Sequence, residues 1–454
     1  MSTPTTVDAA VPQVADRPDA NEVRLTERPA LADLHAVLRL CDSGRLRCSD
    51  KTKRPAAASV VTVAETLSGG DFYPDEAIAA YAWPLLVQAG GLAEVVGGKL
   101  QLTARGRTAL RKPAADIVKG LWRSWVSKAI LDELSRVDNI KGQRTTNVLT
   151  SAKTRRQQVS AALASCHPGD WIAVDDLFAA MRRAGLSPTV ARSERALWRL
   201  YLIDPQYGSL GYAGFGEWEI LEGRYTLAVI FEYAATLGLV DVAYDDPAGA
   251  RVDYHGNWGA DDFDYLSRYD GLRAVRLTGL GAYTLDLTPS YAAPAETAPT
   301  QSLKVLPSLD VVAVGELSPA DRLVLDAYAK QTSDRVWALT SETVLAAVAA
   351  GRGVAELRDF LTGRMAQPEL PGTLLVLLDD ATARVGQLRD LGQVRLIECA
   401  DPAVAALIRN DRRLQPLCTA VGDRHLAVTP DQEPGFRRAL QKLGYALPIP
   451  GTRN

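Results

Sequence analysis

Residues 102–110 read LTARGRTAL, and residues 277–285 read LTGLGAYTL. Both stretches fit the pattern Leu-Thr-x-x-Gly-x-x-x-Leu, and both follow a short β-like run. A threonine just before a helical segment is a common N-cap, because its hydroxyl accepts a hydrogen bond from a free N–H of the first turn. The pattern therefore predicts that a strand ends and a helix begins at two distant places in the chain.

The residues before the first copy of this pattern predict a helix and a β-hairpin. Residues 78–89 carry apolar side chains at helical spacing, and Gly90-Gly91 would end that helix. Short alternating runs at 92–96 and 99–102 flank Gly97-Gly98, which is typical of a hairpin turn. Two more helices are predicted upstream, in LADLHAVLRLCDSG and SVVTVAETLSG. This order indicates a winged helix, a variant of the helix-turn-helix.

The second copy closes a similar series. Helices are predicted over 175–184 and 221–237, and Gly238-Leu-Val-Asp-Val parallels Gly91-Leu-Ala-Glu-Val. A long excursion, 243–270, replaces the tight turn before a return strand at 272–277. We therefore expect an α+β chain with tandem winged-helix domains, the alternative being a chance resemblance of the short pattern. The predicted order is a disordered leader (1–28), a basic winged helix (29–140), a basic linker helix (141–160), an acidic winged helix with an extended wing (161–289), a linker (290–301) and a C-terminal α/β domain (302–450).

Charge differs sharply between these segments. Residues 31–160 hold 20 Lys and Arg against 12 Asp and Glu, whereas residues 161–300 hold 10 against 19. The net charge of the whole chain is only −3, so any nucleic-acid surface must be local. Opposite signs on neighbouring segments indicate different partners for the two.

The basic segment suggests candidate DNA contacts. They lie in the loop between the first two helices, on the wing and after it: Lys51, Lys53, Arg54, Lys99, Arg105, Arg107, Arg111 and Lys112. Lysine and arginine bind phosphate oxygens and so position a protein on DNA. Residues 141–156 add five positive charges and could follow a nucleic-acid backbone. The alternatives are a solvated basic face and a soluble linker helix.

The extended wing of the acidic segment interleaves acids with aromatic side chains. Such a surface repels phosphate and suits a protein partner. The candidate partner-binding residues are Asp245, Asp246, Tyr254, Trp258, Phe263 and Tyr265. The alternative is an Ω-like loop packed on its own aromatic residues.

Helices and strands alternate after residue 303, which predicts an α/β or α+β domain. Its markers are Leu370-Pro371, the helix with Asp380, Arg384, Gly386 and Arg389, Asp401-Pro402, and the closing Leu-Gly-Tyr at 443–445. Residues 303–447 thereby resemble the helicase-associated domain named for the N-terminal region of XPB-type helicases. The resemblance implies a non-catalytic domain that docks helicases or DNA, often with winged helices before it. The arrangement also looks like the winged-helix subunit of TFIIH.

No catalytic pattern accompanies these features. The sequence lacks Gly-x4-Gly-Lys-Ser/Thr, so a phosphate-binding loop is absent, and its five Cys and four His fit no metal pattern. We expect no enzyme activity, no cofactor and no bound metal. The leading residues lack an apolar core typical of signal peptides, and we expect a cytoplasmic location.

These observations favour an adaptor that binds duplex or forked DNA without strong sequence preference and holds a helicase or nuclease supplied in trans. DNA repair and anti-phage defence are both compatible settings. The alternatives are a winged-helix transcriptional regulator and a scaffold protein that never contacts DNA.

Overall fold

The structure is a computed structural model that describes residues 14–15, 18–128, 130–145, 147–212, 218–293, 302–315, 317–365, 369–385, 387 and 392–448. The chain divides into two compact units, Met1–Leu378 and Asp379–Asn454. Helices and antiparallel sheets occur in both units, which confirms the expected α+β class.

The first segment of the larger unit carries helices around a small hairpin. Its elements are β1 Val14–Ala15, β2 Glu22–Arg24, α1 Glu27–Asp42, α2 Ala57–Ala64, α3 Ala79–Ala89, β3 Ala93–Val96, β4 Lys99–Leu102, α4 Ala104–Ala109 and α5 Ala114–Ser127. The hairpin pairs Val96 with Lys99 across Gly97-Gly98, and both glycines have positive φ. Residues 18–28, placed in the disordered leader by the sequence, instead include β2 and the start of α1.

The second segment also places helices around two antiparallel strands, which are joined here by a long connection. Its elements are a 3-10 turn Glu133–Arg136, α6 Ala152–Ala164, β5 Trp171–Ala173, α7 Val174–Arg183, α8 Glu194–Leu197, α9 Arg224–Ala228 between π-helical turns Glu219–Gly223 and Val229–Ala234, β6 Val240–Tyr244, a 3-10 turn Ala260–Asp262, β7 Leu272–Leu277 and α10 Gly279–Thr284. The expected linker helix differs from the structure, since α6 begins only at Ala152. Before that helix, Lys141 forms an isolated β-bridge with Tyr201, and Leu149 forms one with Ala191.

The repeated sequence pattern builds the same junction twice. The hydroxyl of Thr103 accepts from Gly106 N and donates to Gly91 O, and the hydroxyl of Thr278 accepts from Gly281 N and donates to Gly238 O. A Cβ on Gly106 would lie 2.0 Å from Leu92 O. The glycine is therefore required because the first turn of α4 rests directly on the backbone of Leu92, the residue before β3.

The same close approach occurs in the second copy. A Cβ on Gly281 would lie 2.1 Å from Leu239 O. Each junction follows a helix that ends in a glycine with positive φ, Gly91 in one copy and Gly238 in the other. The repeated Leu-Thr-x-x-Gly pattern thus corresponds to the same local junction at both sites.

The two segments share one hydrophobic core. Strands β1, β5, β7, β6 and β2 form a five-stranded antiparallel sheet in that order, so β2 crosses from the first segment to pair with β6 in the second. Trp125 of α5 stacks on Tyr233 with ring centroids 4.2 Å apart. Continuous packing of this kind joins both segments in a single compact unit.

The remainder of the larger unit is a four-stranded sheet with helices. Its elements are β8 Leu303–Val305, β9 Asp310–Ala313, α11 Pro319–Tyr328, β10 Lys330–Ser333, β11 Val336–Ala338, α12 Ser341–Ala349 and α13 Val354–Arg364, and α14 Gly372–Val385 follows. The strand order is β10-β11-β9-β8. Helix α11 packs on α1, and Arg39 pairs with Glu356 at 2.7 Å.

The smaller unit has its own sheet and core. Its elements are β12 Arg395–Glu398, α15 Pro402–Asn410, a 3-10 turn Gln415–Leu417, β13 Thr419–Val421, β14 His425–Val428 and α16 Glu433–Lys442. The Asp401 carboxylate accepts from Val404 N at 2.9 Å, so the Asp-Pro pair begins α15 as the sequence indicates. Gly386 and Arg389 lie outside the described residues, as does most of the expected linker at 290–301.

Candidate nucleic-acid interface

A three-stranded ribbon places basic side chains beside the hairpin of the first segment. Residues 46–48 pair with β4 through Leu100 N to Leu46 O and Cys48 N to Gly98 O. Arg47 thereby lies directly across from Lys99, and both side chains are exposed. Residues opposite each other on neighbouring strands project to the same face. The sequence analysis missed Arg47, because only the pairing of residues 46–48 with β4 brings it to Lys99.

The adjoining loop is held by hydrogen bonds. Ser49 N donates to Arg54 O at 2.9 Å, and Gln88 donates to the carbonyl of Lys53, which has a φ of 61°. Lys51 at the tip is exposed. Arg54 donates to Ser135 Oγ at 2.8 Å, so its guanidinium faces the interior of the unit. Of the three predicted loop residues, Lys51 is the one best presented to a ligand.

Helix α4 carries the second group of basic residues. Arg105, Arg107 and Lys112 are exposed, and Arg105 and Lys112 line a cleft of about 520 Å³ between α4 and α5. Arg111 is exposed too, but its guanidinium approaches Gly353. This group begins where β4 ends, about 10 Å from Lys99 at ~3.3 Å per strand residue.

We define the basic surface as the hairpin group plus the α4 group: Arg47, Lys51, Lys99, Arg105, Arg107 and Lys112. None of these six forms a salt bridge with any residue that the structure describes. By contrast, the arginines of the core are paired. The positive charge of these side chains is not offset by a neighbouring carboxylate, so they are available to bind an external anion such as phosphate.

The third helix of the first segment is enclosed. In α3 every side chain is buried or half-buried, including Trp83 and Leu86 at 0% exposure. It packs against α1, α2, α5 and the π-helical turn Val229–Ala234. The corresponding helix of the second segment, from Ile220 to Leu237 along the chain, is likewise without an exposed residue. Neither helix can enter a DNA groove without opening the core.

Two of the five positive charges in the basic run at 141–156 are neutralised by buried ion pairs. Arg155 pairs with Asp132 at 2.5 Å, and Arg156 pairs with Glu133, both arginines being buried. Burial raises the pKa of Glu133, and the adjacent Arg156 works in the opposite direction. Asp132 and Glu133 therefore act as the ion-pair partners of two buried arginines. These arginines cannot follow a phosphate backbone.

The acidic wing has both structural and exposed residues. Tyr254 is fully buried and donates to Phe263 O at 2.9 Å, so it belongs to the core and cannot meet a partner. Asp245 pairs with Arg273 at 2.7 Å and accepts from Asn21 N. Tyr265 is half-buried and donates to Glu76 at 3.4 Å. These residues fit the alternative of a loop packed on its own aromatics.

Other aromatic residues near the wing stay exposed. Trp258 is 56% exposed and packs beside Tyr207 with ring centroids 5.6 Å apart, and Trp198 packs edge-on against Tyr212 at 4.6 Å. Ile203 is also exposed and lies next to Gly259, the residue that follows Trp258. We call these five residues, Trp198, Ile203, Tyr207, Tyr212 and Trp258, the aromatic surface. The sequence analysis found only Trp258 of them, since the others come from a loop about 50 residues earlier.

The wing segment that contains Trp258 also carries exposed acidic residues. Asp246, Asp261, Asp262 and Asp264 are exposed. None of these carboxylates forms a salt bridge in the described part of the chain, so the wing keeps a negative field. Exposed aromatics within such a field favour a partner segment that is apolar and basic.

The described residues contain no candidate metal site and no activated thiol. No group of three or more His, Cys, Asp or Glu side chains there could hold a metal ion. The five cysteines are free, and burial raises the pKa of Cys41, Cys48 and Cys166. A raised thiol pKa lowers the thiolate fraction and hence the reactivity.

Comparison with protein families gives one match. The family described as "helicase conserved C-terminal domain" matches residues 303–421, about a quarter of the chain. The match supports a helicase-associated domain in the C-terminal third and is compatible with nucleic-acid binding. A search of curated proteins finds no significant match. Among the described helices, none has the length and apolar character needed to cross a membrane.

Proposed function

We propose that this protein is a non-catalytic adaptor that binds nucleic acid through its basic surface and docks a helicase or nuclease through its acidic segment and C-terminal domain. The observation that carries the proposal is the set of six exposed basic side chains without an ion pair among the described residues. The helicase-type match in residues 303–421 supports a helicase-linked setting such as DNA repair or anti-phage defence.

The order and pairing of elements support two winged helices. In the first segment, α1, residues 46–48, α2, α3 and the β3–β4 hairpin follow one another, and the strand of residues 46–48 pairs with β4. In the second, α6, β5, α7, the helix around α9, β6 and β7 follow in the same order, and β5 pairs with β7. The same succession with the same pairing, closed by the same Thr-x-x-Gly junction, favours a common fold.

Enclosure of both third helices favours backbone contacts over base reading. A sequence-specific regulator inserts its recognition helix into the major groove. Here that helix lies in the core, whereas the hairpin and α4 present lysine and arginine to solvent. Contacts of this type go to phosphates and carry no sequence information. The regulator is thus the weaker candidate, and we expect binding to DNA of any sequence.

The aromatic surface is the proposed docking site on the acidic segment. Trp and Tyr side chains are frequent anchors of protein interfaces. The exposed aspartates around it select for positive charge, so the occupant we propose is a basic, apolar segment of the helicase or nuclease. XPB-type character in the C-terminal domain belongs to the same proposal and rests on the sequence resemblance.

Fluorescence anisotropy with labelled duplex, forked and single-stranded DNA tests the proposal. The variant reverses four charges of the basic surface: Lys51→Glu, Lys99→Glu, Arg105→Glu and Lys112→Glu. The control reverses four exposed charges elsewhere on the larger unit: Arg183→Glu, Arg195→Glu, Lys330→Glu and Arg335→Glu.

We expect salt-sensitive binding by the wild type and the control, and a loss of at least about tenfold in the variant, because each phosphate contact contributes to the electrostatic part of the affinity. Equal affinities in variant and control would refute the basic surface as the binding site. An absence of binding by the wild type at low salt would favour the scaffold without DNA contact.

A further inference from the structure

The smaller unit has two classes of basic residue. Around its sheet, arginines are paired with acids: Arg395 and Arg437 each contact Glu433 at 2.9 Å, and Arg424 contacts Glu398 at 3.2 Å. Arg395 thereby links β12 to α16, and Arg424, just before β14, pairs with Glu398 of β12. Their charges are neutralised locally, so they offer little to an external anion.

Five other basic residues are exposed and have no salt bridge to any residue that the structure describes. They come from the end of α15, the turn after it and the outer face of α16: Arg409, Arg412, Arg413, Arg438 and Lys442. The one acid among them, Asp411, uses its carboxylate to accept from Arg413 N at 2.8 Å. The group therefore keeps a net positive charge.

Three of these residues converge on one cleft. Arg413, Arg438 and Lys442 line a volume of about 510 Å³, together with Gly435, Ala439 and Gln441. Arg438 and Lys442 are four residues apart on α16, which places their Cβ atoms ~5–6 Å apart on one helix face. Gly435 has no side chain and Ala439 has only a methyl group, so an anion can approach the helix surface closely. The lining contains no acidic residue.

We propose that this cleft binds phosphate groups of a nucleic-acid backbone and gives the chain a second contact with its nucleic acid. The inference rests on the proposed function for the presence of nucleic acid, but it uses other residues. The match to residues 303–421 includes Arg413 but ends before α16, which supplies Arg438 and Lys442, and the family description names no such cleft. Because both contacts belong to one chain, the second forms at high effective concentration and strengthens binding.

The test measures DNA affinity of the full chain against salt concentration. The variant removes the three charges that line the cleft (Arg413→Ala, Arg438→Ala and Lys442→Ala), and the control removes three exposed charges elsewhere (Arg183→Ala, Arg195→Ala and Lys330→Ala). Neutral substitutions avoid added repulsion. Each phosphate neutralised on duplex DNA contributes about −0.9 to the slope of log K against log salt.

We expect the cleft variant to lose about 3 in the magnitude of that slope and at least about tenfold in affinity at low salt. A slope equal to that of the control would overturn the cleft proposal and leave the proposed function standing. Loss in the cleft variant without loss in the Lys51, Lys99, Arg105 and Lys112 variant would retain the cleft and refute the basic surface. No binding by the wild type would overturn both.

Discussion

Substituting Gly106 with alanine should break the junction that the repeated sequence builds. The added Cβ would lie 2.0 Å from Leu92 O and 3.0 Å from its carbonyl carbon, both backbone atoms that cannot rotate away. Helix α4 must therefore move away from the backbone of Leu92. Overpacking of a tight site costs about 1–3 kcal/mol, and a weakened threonine cap adds ~1 kcal/mol. We expect Gly106→Ala to lower the free energy of unfolding by about 3 kcal/mol.

The second copy provides a replicate, and α5 provides a control. Gly281→Ala should cost a similar amount, because its Cβ would meet Leu239 O at 2.1 Å. Gly120 lies inside α5, and a Cβ added there would have no other atom within 4 Å. Gly120→Ala should therefore stabilise the protein by about 0.5–1 kcal/mol.

Urea unfolding followed by tryptophan fluorescence measures these changes. All eight Trp residues lie between Trp83 and Trp337, so the signal reports the larger unit alone. An unfolding midpoint of Gly106→Ala equal to that of the wild type would refute the close approach of α4 to the backbone of Leu92. Opposite effects at Gly106 and Gly281 would refute the equivalence of the two junctions.

Three further predictions concern charge and surface. Burial raises the pKa of Asp33 to about 6 from its usual value of 3.8, so the folded protein keeps this proton to a higher pH than the unfolded chain does. The contribution of Asp33 to the free energy of unfolding should therefore fall by about 3 kcal/mol as the pH rises from 4 to 6 and stay level above pH 6. Asp33→Asn should remove this loss, which urea titrations across that pH range measure. Glu133→Ala should cost about 3–5 kcal/mol because Arg156 would remain buried without its partner, and Glu133→Ala with Arg156→Met should recover much of it in the same assay. Trp258→Ser with Tyr207→Ser should leave the unfolding midpoint unchanged and weaken capture of a helicase or nuclease partner at least about tenfold; unaltered capture would exclude the aromatic surface.

Features with local causes followed from the sequence. The turn of the β3–β4 hairpin needs two residues of positive φ, and the pair Gly97-Gly98 predicts such a turn. Thr103 and Thr278 cap helices through hydrogen bonds to residues three positions later, and Asp401 does the same for α15. Such signals lie within a few residues of the structure that they specify.

Features with distant causes did not follow. Arg155 and Arg156 belong to a run that has no acid within it, and their partners lie 23 residues earlier, in and just before a 3-10 turn. Tyr254 looks like an exposed wing residue until the wing folds back over it. Strand β2 pairs with β6, which lies more than half of the larger unit further along the chain, and no local pattern encodes such a pairing.

One signal in the sequence was available and unused. The run that forms α3, AAYAWPLLVQA, is apolar on every side, and a helix of that kind is enclosed by its neighbours. A recognition helix needs a polar face for DNA. The composition of α3 alone therefore argues against reading of bases in the major groove.

The most direct measurement of the central claim is the salt dependence of binding to two unrelated duplexes of equal length. If the six residues of the basic surface each neutralise one phosphate, log K should fall with log salt with a slope of about 5 or more in magnitude, and the two sequences should bind within a few-fold of each other. A flat slope, or a preference for one sequence of about a hundredfold or more, would contradict an adaptor that holds the nucleic-acid backbone through this surface.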